Sequence, residues 1–280
     1  MKKILLCFSL TVCLLSAVTI DELVKNTNEN NYDLKSIDKS IEVANHQILL
    51  SKKWQNPTLS LGLNDLWLND LSSRDKEAMQ ASFIGLSQVI PTGSKLEIKE
   101  KIAQKDRNIQ ILNLEDKKLE LESKVYEYVY TILLLEKKYN LLESYEQNIK
   151  KLEALFTSLY KYQKVTQNEI LNSQISALDI GLQKQNLKNM IDNSYLKLEQ
   201  ITYTKIDKID ENIDIKKINL LTINQEHPKF KTLEEMANKS KNMADLEAEK
   251  KIPDLMLNVA YFQRDSKFND YVNVSVSFPL

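Results

Sequence analysis

From Lys95 to Gln163 apolar residues recur at threes, fours and sevens: Ile109, Leu112, Leu119, Val125, Tyr128, Ile132, Leu135, Tyr139, Leu142, Ile149, Leu152, Phe156 and Leu159. That period marks an amphipathic helix, and at 1.5 Å per residue it would run to about 100 Å. No compact domain needs such a length, so the pattern predicts a coiled-coil assembly with the leucine and aromatic stripe as its packing seam. Neither Gly nor Pro falls between Gly93 and Gly181. A break is expected at Lys164-Val165-Thr166, because Thr166 and Glu169 form T-x-x-E, a capping box that satisfies free N–H groups at a helix start. The next helix, from about Asn168 to Ile201, would return antiparallel and close a hairpin.

Four short segments follow the other period, two residues. Leu59, Leu61 and Leu63 alternate after Pro57, and Leu255, Leu257 and Val259 alternate after Pro253. FIGLSQVIP (83–91) and YVNVSVSFP (271–279) alternate in the same way, as half-buried strands do. Residues 31–63 and 227–259 align without gaps, Pro57 on Pro253, and proline suits that place because it stops a helix and can open a strand. Each half therefore reads helix, strand, loop, strand. The first half then enters its longest helix, whereas the second stops at NVSVSFPL. The expected organisation is a first repeat over about 18–201, a less regular linker over about 202–224 and an incomplete second repeat over about 225–280. Asn64 to Gln80, rich in charge, suits an exposed loop.

Composition narrows this picture. Four Gly and five Pro in 280 residues leave few turns and favour long helices. A formal charge of −1 offers no global field for nucleic acid, which is not an expected partner. Lys2 and Lys3, the apolar run Ile4 to Leu15 and Ser16-Ala17 read as a secretory signal peptide over 1–17; an uncleaved anchor is the alternative. Both cysteines, Cys7 and Cys13, lie within it, so a cleaved chain has no disulfide framework, and Cys13 is the one position where a lipid could be attached.

Several stretches, in this order, resemble the TolC-like outer membrane factors: VTIDELVKNTNENN, NPTLSLGL, LSQVIPTGSKLEIKEKIAQ, LYKYQKVTQNEILNSQISAL, KIPDLMLNVAYF and VSVSFPL. The resemblance runs from about residue 18 to the end. It implies a mainly α fold with a small β part, in which long antiparallel coiled-coil helices accompany two β-hairpins. It further implies a homotrimer whose subunits each give four strands to one twelve-stranded outer-membrane barrel, with the helices projecting into the periplasm as a tunnel. Physical reasoning agrees, since four strands leave two open edges, and unpaired backbone groups in lipid cost several kcal/mol each.

On that reading Leu59, Leu61, Leu63, Ile84, Leu86, Leu255, Leu257, Val259, Val272, Val274, Val276 and Phe278 face lipid. Ser60, Gly62, Gly85, Ser87, Asn258, Asn273, Ser275 and Ser277 face an aqueous lumen, and Trp67, Tyr261 and Phe262 sit where interface aromatics are expected. A soluble four-stranded sheet packed on helices is the competing reading of the same alternation. The implied function is the outer-membrane channel of a tripartite efflux pump or type I secretion system. It would be a passive conduit opened when a periplasmic adaptor, itself joined to an inner-membrane pump, docks at the helix tip through Lys164, Thr166, Gln167, Asn168 and Glu169. Two departures stand out: many members carry glycine where this chain has Lys164, and members continue past the second hairpin, so the chain reads as a C-terminally truncated member.

No enzyme chemistry is legible. His46 and His227 are isolated and read as surface or helix-end residues, not metal ligands. No phosphate loop occurs, so energy for transport would come from a partner. The sequence therefore implies no catalytic residue, metal or cofactor. Glu115-Asp116, Glu234-Glu235 and the charged run Lys95 to Arg107 read as solvated helix faces. Two further readings stay open: a periplasmic coiled-coil scaffold, and a truncated family member without function.

Overall fold

The computed structural model of the chain describes residues 18–69, 74–213 and 226–279. The expected signal peptide, both cysteines, part of the first strand-joining loop and the end of the linker lie outside the described residues. The element order is α1 (Ile20–Asn30), α2 (Tyr32–Ser51), β1 (Thr58–Asn64), β2 (Ala81–Ile90), α3 (Lys95–Lys161), α4 (Gln167–Thr202), α5 (Pro228–Glu249), β3 (Leu255–Gln263) and β4 (Tyr271–Ser277). The helix-strand-loop-strand unit occurs twice, as the repeat predicts, and the long helix and its return start and stop within two residues of their expected ends.

The described residues divide into two compact units: 18–36 with 115–213, and 37–69 and 74–114 with 226–279. In the first unit α1 opens on a capping box, the Glu22 N–H donating to Thr19 Oγ1 and the Thr19 N–H to Glu22 Oε2. Asn31 links α1 to α2: its Oδ1 accepts from the Asp33 N–H while its Nδ2 donates to the Ile201 carbonyl. The core joins Ile20 and Leu23 to Val125, Val129, Ile132 and Leu133 of α3 and Leu198 of α4. Ile206 and Ile209 complete it. They come from the start of the irregular segment, which is held by a parallel bridge between Val18 and Ile209.

Along the hairpin of α3 and α4 the inward positions alternate three and four apart. On α3 they are Ile132, Leu135, Tyr139, Leu142, Glu146, Ile149, Glu153 and Phe156; on α4, Ile170, Ser173, Ala177, Ile180, Lys184, Leu187 and Ile191. A strict 3.5-residue period is the coiled-coil seam. Leu119 and Leu152, expected on the stripe, are instead exposed.

In the second unit the strands form one antiparallel sheet in the order β1-β2-β3-β4. The charged run opening α3 is the expected solvated face only in part: Glu97, Lys99 and Lys101 are exposed, while other members pair across helices. Lys95 is buried, Glu100 pairs with Lys52 at 2.7 Å, and Asp106 pairs with Lys239 at 2.6 Å. Glu235, likewise read as solvated, accepts from Lys105 Nζ at 3.0 Å and from Asn108 Nδ2 at 3.2 Å. Charge alternation alone does not separate a wet face from one that pairs across helices.

Candidate functional site: a two-faced sheet and a helical tip

Register decides what the sheet can do. Leu59 pairs with Leu86 and Leu61 with Ile84; Leu86 pairs with Val259 and Ile84 with Tyr261; Val259 pairs with Val274, Leu257 with Val276 and Tyr261 with Val272. Since side chains alternate across a strand, these pairs gather the expected apolar residues on one face, with Leu63 and Leu255 in the same register. Phe278 follows directly after β4. The face is exposed: Leu61 keeps 71% and Val274 62% of its surface.

The opposite face is small and polar along most of its length. Ser60 pairs with Gly85 and Gly85 with Ala260, while Ser87 pairs with Asn258 and Asn258 with Ser275. β1 and β4 have a strand partner on one side only.

One expectation changes. Phe262 does not share a face with Tyr261. Adjacent strand residues point to opposite sides, and Phe262 pairs with Phe83 and Tyr271 on the polar face. The three rings form a row, with Phe83 and Phe262 stacked at 5.3 Å between centroids and Phe262 and Tyr271 at 4.7 Å with 2° between planes. The row is not legible in the sequence, because each aromatic stands on a different strand and only register aligns them. Its one sequence signal is parity: Phe83 and Phe262 are out of phase with the apolar positions of their strands.

At this end the loops are tied together. Arg264 donates to the carbonyls of Asn269 and Ala78 and lies 5.1 Å over the Tyr271 ring. Lys267 pairs with Asp75 at 2.8 Å. The buried Gln80 donates to the Asp65 carbonyl and accepts from the Lys76 and Glu77 N–H groups. Trp67 stands beyond β1 with Lys76 Nζ 5.2 Å over its ring.

The helical tip is shaped by backbone rules. The Lys164 N–H donates to the Leu159 carbonyl and the Gln163 N–H to that of Tyr160, at 3.1 and 2.9 Å. With Gln163 at φ 57° this is a Schellman motif, in which a left-handed residue ends a helix. The left-handed position is thus Gln163 and not Lys164. Thr166 then caps α4, its N–H and Oγ1 both donating to the Glu169 carboxylate. Lys164, Thr166, Gln167, Asn168 and Glu169 are all exposed on one turn and the helix start that follows it.

Further along the hairpin, Lys184 Nζ lies 2.8 Å from Glu146, and Gln174 donates to Glu153 at 2.8 Å. Hydrogen bonds from Lys150 and Lys184 hold the Glu146 carboxyl down to about 2. Near the other end Tyr195 donates to Glu136 at 3.0 Å, and burial raises its hydroxyl well above the usual range.

His46 is exposed on α2, and His227 caps α5 through Nδ1, which accepts from the Lys229 N–H. Among the described residues no group of three or more His, Cys, Asp or Glu side chains could hold a metal ion. No described helix is long and apolar enough to cross a membrane, a statement that does not bear on strands.

Three solved structures share this fold. The CmeC outer membrane channel of Campylobacter jejuni is 17% identical, with a TM-score of 0.70 over 93% of this chain and 61% of its own. The outer membrane protein VceC of Vibrio cholerae is 11% identical, at 0.71 over 93% and 68%. The open state of the MtrE outer membrane channel of Neisseria gonorrhoeae is 11% identical, at 0.68 over 93% and 63%. The chain thus spans roughly two thirds or less of the length of these channels. No curated protein matches it by sequence. The model of the outer membrane efflux protein family matches residues 23–202, more than half of the chain, and this protein belongs to that family.

Proposed function

We propose that the protein is a wall segment of an outer-membrane efflux channel, a passive conduit and not an enzyme. The observation that carries this reading is the four-stranded sheet with one exposed apolar face, one small polar face and two unpaired edges. Such a sheet is stable in lipid only when closed, because no water is there to satisfy its edges. Bacterial barrels have an even number of strands and at least eight. Three copies giving four strands each close a barrel of twelve, with the leucine and valine face outward to lipid and the serine, glycine and asparagine face inward.

A second apolar stripe on the helical hairpin supports side-by-side assembly. Leu171, Ile175, Leu178 and Leu182 of α4 are exposed at heptad spacing, away from the seam shared with α3. Leu141, Tyr145, Leu152 and Leu155 do the same on α3. Helices with two seams build sheets or tubes of helices, not isolated pairs. The tube would stand in the periplasm and end at the tip, where Lys164, Thr166, Gln167, Asn168 and Glu169 offer polar side chains to an adaptor that connects the duct to an inner-membrane pump. The sequence carries no phosphate loop, so in this reading the energy for transport comes from the pump.

Fractionation of cells followed by mild-detergent electrophoresis tests this. The protein is expected in the outer membrane as a trimer, and a monomer in the soluble periplasmic fraction overturns the reading. Site-specific crosslinkers at Gln167 and Asn168 are expected to capture an adaptor. Capture from the strand loops but not from the tip would place docking elsewhere.

A further inference from the structure

Among the paired residues of the polar face, which include Val89 and Met256 at its helix end, aromatic rings stand at one level only. Ser60, Gly85, Ser87, Asn258, Ala260, Asn273, Ser275 and Ser277 carry side chains of four heavy atoms or fewer. At the loop end three rings stand in line on adjacent strands: Phe83 on β2, Phe262 on β3 and Tyr271 on β4. The row runs across the strands, so it follows the circumference of any tube that the sheet helps to close.

Its neighbours hold it in place. On β1 the row meets Gly62, which pairs with Phe83; a Cβ there would lie 2.5 Å from Phe83 Cε1, so only glycine lets the ring lie over that strand. At the other end the Arg264 guanidinium covers Tyr271 and is fixed by two loop carbonyls. Stacked rings gain beyond their buried area, and a row pinned at both ends is a fixed obstacle, not a set of swinging side chains.

We infer that Phe83, Phe262 and Tyr271 form an aromatic collar at the outer mouth of the conduit, which sets the cross-section of the cargo that leaves. This rests on the channel reading, in which the polar face is the lumen. Three copies contribute nine rings at one level. Ser275, four residues from Tyr271 towards the helix end of β4, lies about 13 Å below the collar at strand rise. Constrictions lined by apolar side chains restrict passage by size and by loss of water. The collar thus excludes folded or bulky solutes from entering backwards and passes slender ones.

Cysteine labelling on intact cells tests it with two maleimides, small N-ethylmaleimide and bulky fluorescein maleimide. With Ser275→Cys both reagents meet one thiol below the collar, and with Ser266→Cys one thiol in the loop above it. Both reagents are expected to label the loop position, and only N-ethylmaleimide the position below. In Phe83→Ser/Phe262→Ser/Tyr271→Ser the discrimination at Ser275→Cys is lost and fluorescein maleimide labels it. Where that triple variant does not assemble, Tyr271→Ser alone, which leaves the Phe83–Phe262 pair in place, is expected to raise fluorescein labelling. Equal labelling of Ser275→Cys by both reagents with the rings intact overturns the collar. An unlabelled Ser266→Cys on intact cells overturns the channel reading instead.

Discussion

Lys95 Nζ stands 2.7 Å from Asp254 Oδ1, and the two residues come from different repeats of the chain. Lys95 opens α3 just after the first hairpin, while Asp254 precedes β3 and the second. Lys95 also donates to the Ile252 carbonyl, and Asp254 accepts from the Thr92 N–H at 3.1 Å. One buried ammonium and one carboxylate therefore fix where helix gives way to strand in both halves.

Removing either partner should loosen that junction. Hydrogen bonds to charged groups contribute about 1.5–3 kcal/mol, and the lower end applies because Asp254 keeps 39% of its side chain in water. Asp254→Ala is expected to cost more than Asp254→Asn, whose amide oxygen can still accept from Thr92. Thermal unfolding of both variants in mild detergent checks the order.

Gly93 is the second fixed point of the same junction. It sits at φ 68°, and a Cβ added there would lie 2.4 Å from Glu249 Oε1. That oxygen accepts from the Ser94 N–H at 2.8 Å and from Ser94 Oγ at 3.0 Å. Gly93→Ala meets left-handed strain, about 1 kcal/mol, and displaces the carboxylate that holds the helix start. Its melting temperature is expected to fall, whereas that of Gly181→Ala is expected to rise, since Gly181 is helical with open space around its Cα and alanine is the better helix former.

Much of this fold is legible in the residues because its periods are long and clean. The repeat of α2-β1 in α5-β3 needs only the pattern around Pro57 and Pro253, and the T-x-x-E at Thr166 marks the start of α4. Pairings between elements are not legible in this way. Lys105 and Asp106 look solvated until α5 brings Glu235 and Lys239 beside them. Phe83, Phe262 and Tyr271 are far apart in sequence, and only the register of three strands aligns them. The tip shows the same limit at one residue: sequence draws the eye to Lys164, whereas helix-ending geometry puts the left-handed residue at Gln163.

The hairpin of α3 and α4 should weaken in acid. Lys150 and Lys184 hold Glu146 at about 2, against 4.5 for an ordinary carboxyl group of its type. A depressed value means that ionised Glu146 favours the folded hairpin; that contribution is complete above about 4.5 and is lost as pH falls towards about 2. The protection of the tip-segment amides, taken as the ratio of intrinsic to observed exchange rate at each pH, is expected to fall across this window. Lys184→Met should flatten the response more than Lys150→Met, because Lys184 alone carries the pair across to the other helix. A profile unchanged by Lys184→Met would assign the acid response to other carboxylates.

The tip turn can be improved by one residue. Gln163 holds φ 57° with a Cβ that this conformation disfavours, whereas glycine adopts it without that penalty. Both hydrogen bonds of the Schellman motif come from backbone groups, so Gln163→Gly removes none of them. The greater freedom of glycine in the unfolded chain offsets part of the gain, leaving an expected stabilisation of about 0.5–1 kcal/mol at the turn. Lys164→Gly is expected to act the other way, since it frees a residue that the turn does not hold left-handed. Protease resistance at the tip, compared between the two variants, decides between them: greater resistance in Lys164→Gly than in Gln163→Gly would show that the helix ends one residue later than the hydrogen bonds place it.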